Sequence, residues 1–175
     1  MNSLPAIDLG LMSEHLLAHD GVIHKLVYYQ NLVTSTELQN ILKLQEEVMR
    51  THVWIMLAFI NPSYHNDIEV PQLSTFEQKY NFQRAGNDEN NKWVALESHS
   101  TAKNMSIENY QSAMLMKNMN VKNAHIEMAL QQNQIKEKYA NYIKKMGWDF
   151  VPKATTEAQI STFLHFNYLL NRHLI

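Results

Sequence analysis

Residues 120–152 read NVKNAHIEMALQQNQIKEKYANYIKKMGWDFVP. Within them Val121, Ala124, Met128, Gln131, Ile135, Tyr139, Tyr142 and Met146 recur every three or four residues, which places them on one side of a long helix. Gly147 follows directly and is positioned to be the left-handed residue that closes the helix, since glycine enters that conformation without a Cβ penalty. Pro152 then prevents any continuation. A one-sided helix of this length needs other helices to cover its apolar face, so the stretch predicts a helix bundle.

Working outward, the same spacing returns three times. Met12, Leu16, His19, Ile23 and Leu26 mark a first helix over about Leu9–Asn31, with Asp8 as its expected N-cap. Gly21 lies inside it at a cost of roughly 1 kcal/mol relative to Ala, which implies a close helix neighbour or a bend. Thr34 and Glu37 have capping-box spacing at the start of a second helix, whose inner face is Ile41, Gln45, Val48, His52, Ile55 and Phe59. Asn61-Pro62 ends it. A third helix over about Lys92–Lys117 has Leu96, His99, Ala102 or Lys103, Ser106, Tyr110 and Ala113 as its expected stripe. The polar tract before it is long for a loop, and Ser74 with Glu77 marks one short helix inside it, containing Phe76 and Tyr80.

The reading is one all-α domain over residues 1–175: a helix pair at 9–60, a crossover at 61–92, a second pair at 93–147 and a C-terminal helix at 155–172. A crossover of that length lets helices two and three run parallel, as in ferritin-like four-helix bundles.

Composition narrows the function classes. The net charge of −2, with no Lys/Arg run, gives no electrostatic footprint for nucleic acid. The longest apolar run, Val53–Ile60, is far short of a membrane span, and residues 1–5 lack a signal-peptide pattern, so synthesis in a cytoplasm is expected. The absence of Cys excludes disulfides and thiolate metal sites.

The run from Leu96 to Gln159 resembles the coat F domain of bacterial spore coat proteins. It has a helix carrying Lys103 and Tyr110, a short turn, and a second helix closing on Tyr142-Ile143-Lys144-Lys145-Met146-Gly147-Trp148. Pro152 and Glu157-Ala158-Gln159-Ile160 follow. The first half is compatible with the same family through residues 14–19, Glu-His-Leu-Leu-Ala-His. The resemblance implies a structural coat component on a ferritin-like bundle, deposited in the spore coat beside other coat proteins, and it brings no catalytic residues.

That fold raises the question of metal. A di-iron bundle needs Glu-X-X-His on two helices, and none of the nine His has Glu three residues before it. The weaker candidates are His15 and His19, one turn apart, with His52 on the inner stripe of helix two and His99 on that of helix three. The nearby carboxylates are Glu14, Glu47, Glu97 and Glu127. Against a remodelled His/Glu site stands the reading that these His are satisfied core residues bonded to Tyr110, Ser106 or backbone, and this is the one expected, with no metal and no cofactor. The ten Met read as core packing, Glu46-Glu47 as a solvated face, and the Tyr, Gln and Lys as ordinary usage before cross-linking handles. No Ser-His-Asp signature or phosphate-cradling loop appears.

The expectation is therefore a non-catalytic structural or assembly protein. The alternative is a divergent ferritin-like metal-binding protein or oxidoreductase. The last helix is apolar nearly all round and must pack on the bundle, on a partner, or on both. Ile160, Phe163, Phe166, Leu169 and Leu170 are its candidate interface, in a homo-oligomer.

Overall fold

The computed structural model describes residues 3–64, 68–76, 80 and 86–172. They form α1 (Ala6–Leu32), α2 (Thr36–Ile60), a short 3-10 turn (Leu73–Phe76), α3 (Asp88–Leu115), α4 (Met119–Lys145) and α5 (Thr156–Arg172). No strand occurs among the described residues. Cross-helix bonds fix the directions. Lys25 reaches Glu97 while His15 meets Ser112, so α1 and α3 are antiparallel. Glu37 pairs with Lys145 while His52 meets Gln131, so α2 and α4 are antiparallel. With α1 and α2 joined by a three-residue turn, α2 and α3 run parallel, as a crossover between the two helix pairs requires.

The joints differ in detail from expectation. Asp8 does not cap α1, which starts after Pro5 without a side-chain cap. It lies fully buried within the first turn and accepts from the backbone N–H groups of Lys117 and Asn118 at 2.8 and 2.7 Å, fastening the α3–α4 turn. Ser35, not Thr34, caps α2 by accepting from the Leu38 N–H. Thr34 is turned instead toward Asp88 and Asn91 at the start of α3. Gly86, with φ +143°, brings the chain against the end of α1, where an added Cβ would meet the Leu32 carbonyl oxygen at 2.4 Å. Of the expected short helix, Leu73–Phe76 is a 3-10 turn, and Glu77 lies outside the described residues. Tyr80, expected within that helix, tethers the crossover to α2 by donating to Glu47 at 2.6 Å.

At the far end of α4, Gly147 takes φ +69° and Trp148 N–H reaches back to the Ile143 carbonyl while Gly147 N–H bonds Lys144. This is a Schellman closure, and the Trp148 ring sits edge-on to Tyr142 with centroids 5.9 Å apart. The Gly-Trp pair thus seals one end of the core.

The inner stripes of α1, α2 and α4 are buried largely as the spacing implies, though Met146 is exposed where α4 caps. Of the stripe expected on α3, Ala102 and Ala113 are buried and His99 and Ser106 half-buried, but the rest differs. Leu96 and Tyr110 face solvent, and the packed side is Val94, Ser98, Ala102, Met105, Asn109 and Ser112. Small side chains there let α3 pack closely along α4, while larger apolar ones stay outside. Gly21 has no close neighbour either: an added Cβ would meet no atom within 4 Å. Replacing an exposed helix-interior glycine removes backbone freedom from the unfolded chain. Gly21→Ala is expected to stabilise the protein by about 0.5–1 kcal/mol, read as a higher urea midpoint at unchanged slope.

The core is interrupted. One apolar cluster contains Ile23, Leu26, Leu42, Met49, Ile135 and Tyr139, and another contains Met12, Ile55, Met56, Met116, Val121 and Met128. Buried polar side chains lie between these clusters on each of the four helices: His15 and His19 on α1, His52 on α2, Asn109 and Ser112 on α3, and Gln131 and Gln132 on α4. α5 contributes to neither, because each of its described residues is exposed, Phe163 to 66% and Leu170 to 69%. Its apolar faces are not covered by the bundle.

Candidate functional site

The polar band between the clusters is centred on four buried imidazoles. Helical spacing places His15 and His19 on one face of α1, His52 faces them from α2, and His125 enters from α4. Ring centroids are 6.2 Å apart for His15–His19, 5.6 Å for His19–His52 and 5.3 Å for His15–His125. The three sequence candidates therefore do come together. His125 was missed because it lies beside the apolar stripe of α4, although its position one turn before the buried Met128–Gln132 segment is a usable signal. His99 is half-buried elsewhere on α3 and outside the group; burial, then Lys136, lowers its pKa.

Each ring is held by an identifiable partner. His19 Nδ1 donates to the His15 carbonyl at 2.7 Å, and His125 Nδ1 donates to the Val121 carbonyl at 2.9 Å. His52 Nε2 donates to Gln131 Oε1 at 2.6 Å, while the Gln131 amide N–H bonds the Pro71 carbonyl in the crossover. His15 Nε2 lies 2.9 Å from Ser112 Oγ. The hydrogen bonds expected from Tyr110 and Ser106 are absent: Tyr110 is exposed and Ser106 donates to the Ala129 carbonyl. Toward the other apolar cluster the band continues through Gln132, which accepts from Gln45, and Gln45 in turn accepts from the Tyr139 hydroxyl.

Not every polar atom is satisfied. His15 Nδ1, His125 Nε2 and Asn109 Oδ1 are buried without a hydrogen-bond partner, although Asn109 lies near enough to favour the charged form of His15. Unpaired buried polar atoms are uncommon in folded proteins; Glu97 Oε2, Ser98 Oγ, Gln132 Nε2 and Tyr142 OH are others in this core.

Burial sets the charge state. Desolvation, followed by the neighbouring His52, pushes His19 down to about 3; desolvation lowers His52 and His125 to about 4, and it lowers His15 as well. All four are uncharged at neutral pH. The carboxylates expected beside them are engaged elsewhere: Glu97 with Lys25 and Thr101, and Glu47 with Tyr80, while Glu14 and Glu127 face solvent. Glu46 is not on a solvated face. It is buried, and although burial pushes its carboxyl up, donors from Gln30, Arg50 and Lys43 hold it below the usual range.

Neutral imidazoles offer lone pairs, to a proton, to an electrophile or to a metal ion. The Ser112–His15 contact lacks the acid that orients a catalytic imidazole, since His15 Nδ1 is unpaired. Among the described residues no three His, Cys, Asp or Glu side chains stand arranged around one ion. A groove of about 590 Å³ runs between the crossover and α4, lined by Pro71, Leu73, Glu127, Gln131, Glu137 and Lys138. Gln131 thus connects this groove to His52. No helix among the described residues is long and apolar enough to cross a membrane.

No protein family, curated protein or solved structure matches the chain.

Proposed function

We propose that this chain is a non-catalytic structural protein that builds an assembly through its C-terminal helix, on a ferritin-like bundle of the kind found in bacterial spore coat proteins. The observation that carries the reading is α5: seventeen residues of regular helix, rich in Ile, Phe and Leu, with none of them buried. Apolar area of several hundred Å² left open on a folded chain marks an interaction surface. The partner that fits is a second copy. Glu157 sits in the first turn of α5 and Arg172 in the last, so two copies laid antiparallel place Glu157 of each opposite Arg172 of the other. The same patch then serves both sides of a two-fold interface. Docking onto other coat proteins would extend the assembly by the same surface. The resemblance between Leu96 and Gln159 supports the coat setting.

Light scattering on the intact chain is expected to give a dimer or larger species. Phe163→Glu with Leu170→Glu is expected to give a monomer with its helix content intact, because neither residue belongs to the core. A sharp wild-type monomer with α5 folded would defeat the reading. Synthesis confined to sporulation would support the coat setting.

One observation favours a second reading, a divergent metal-binding member of the same bundle class: the four uncharged imidazoles in its centre.

A further inference from the structure

The hydrogen bonds around His19 and His52 settle which nitrogens carry protons. A carbonyl oxygen only accepts, so His19 Nδ1, 2.7 Å from the His15 carbonyl, must bear the hydrogen. Its Nε2 is then a lone pair. Gln131 presents its N–H to the Pro71 carbonyl, which leaves its Oε1 facing His52. His52 Nε2 therefore bears the hydrogen, and its Nδ1 is also a lone pair. These two lone-pair nitrogens, His19 Nε2 and His52 Nδ1, lie 3.4 Å apart on two fully buried rings. Two acceptors at that distance need something electrophilic between them.

We propose that His19 Nε2 and His52 Nδ1 are paired ligands for a late first-row transition-metal ion in the bundle core. Zinc–imidazole bonds are about 2.0–2.1 Å long, so nitrogens 3.4 Å apart subtend about 110° at the metal, close to the tetrahedral angle. His125, whose ring lies 5.3 Å from that of His15, keeps a further unpartnered lone pair at Nε2 in the same polar band, its Nδ1–H being committed to Val121. The outer N–H of each ring donates to a carbonyl or amide oxygen, the arrangement that orients metal-bound histidines and raises their basicity. The donor set is nitrogen without carboxylate, which disfavours Ca²⁺ and Mg²⁺ and suits Zn²⁺, Co²⁺ or copper. The groove floored by Gln131, with Glu127 and Glu137 on its walls, gives a cation an approach to His52.

The test uses the full chain freed of metal with a chelator and titrated at neutral pH with Zn²⁺, then with Co²⁺ as a spectroscopic probe. One saturable equivalent per chain is expected, with a raised melting temperature and visible Co²⁺ bands of a nitrogen-ligated tetrahedral centre. His52→Gln is expected to weaken uptake about ten-fold or more, while His24→Gln, on an exposed face of α1, leaves it unchanged. Should the His52 variant fail to fold, long-range ¹⁵N–¹H spectra of the wild type decide. They are expected to find His19 protonated at Nδ1 and His52 at Nε2, with the two inner nitrogens shifting on addition of Zn²⁺. A proton on either inner nitrogen, absence of saturable uptake, or uptake that survives in His52→Gln would overturn the proposal. The outcome is independent of whether α5 assembles the chain.

Discussion

Lowering the pH from 7 to 4.5 is expected to remove on the order of 5 kcal/mol of folding stability. The unfolded chain takes up protons on its histidines near pH 6.5, but in the fold His52 and His125 do so only near 4 and His19 near 3. Between these values the unfolded state binds more protons, so stability is complete above about 6.5 and falls as the pH drops. One imidazole protonated only near pH 4 accounts for up to about 3 kcal/mol across that window. The rings repel one another when charged, so their contributions do not add in full. Even two of them consume much of the 5–15 kcal/mol that holds an ordinary domain together. Glu46 acts lower, since its carboxyl sits below the usual range in the fold and its stabilisation fades only as that group protonates. Urea midpoints measured every half unit from pH 7 to 4.5 would follow the loss. A flat profile down to pH 5 would mean that water reaches the rings. Saturating Zn²⁺ is expected to lift the curve most at neutral pH and least at the acid end, where protons compete for the same nitrogens.

Asp8→Ala is expected to cost about 2–4 kcal/mol. The carboxylate of this fully buried residue is the acceptor for two consecutive backbone N–H groups, those of Lys117 and Asn118, where α3 turns into α4. Removing it leaves both donors without a partner at a joint on which the start of α4 depends, because Asn118 is the N-cap of that helix. For a chain of this size the change corresponds to a fall in melting temperature of roughly 5–15 °C. Asp8→Asn keeps one oxygen and is expected to lose about half as much. Thermal unfolding of both variants beside the wild type measures it, and equal losses would show that charge, not donor pairing, governs the joint.

Why the fold was largely legible, and α3 was not, comes down to what each helix packs against. α1, α2 and α4 bury Leu, Ile, Met and Tyr at regular spacing, so hydrophobicity marks the inner face. α3 buries Ala, Ser, Asn and Thr and exposes Trp93, Leu96, Ile107 and Tyr110, which inverts the usual signal. Size, not polarity, selects its inner face. The caps failed for a related reason: Asp8 and Thr34 are local N-cap types drawn away by partners more than fifty residues distant. In the candidate site, spacing alone brought His15, His19 and His52 together. His125 escaped because it lies beside the apolar stripe of α4, and the cluster holds imidazoles and amides without the acid that a Glu-X-X-His pattern would have supplied. No local pattern exposes the role of Gln131, whose amide orientation is set from Pro71 across the crossover.

The band that divides the two apolar clusters has a consequence for alignment. Greasy helices alone tolerate a one-turn slide past each other, since leucine replaces leucine at little cost. Here such a slide would separate Gln45 from Gln132 and His52 from Gln131, leaving amides and rings stranded in oil. The middle of this bundle works as a vernier: the rods lock where its polar teeth mesh, and every other setting is penalised.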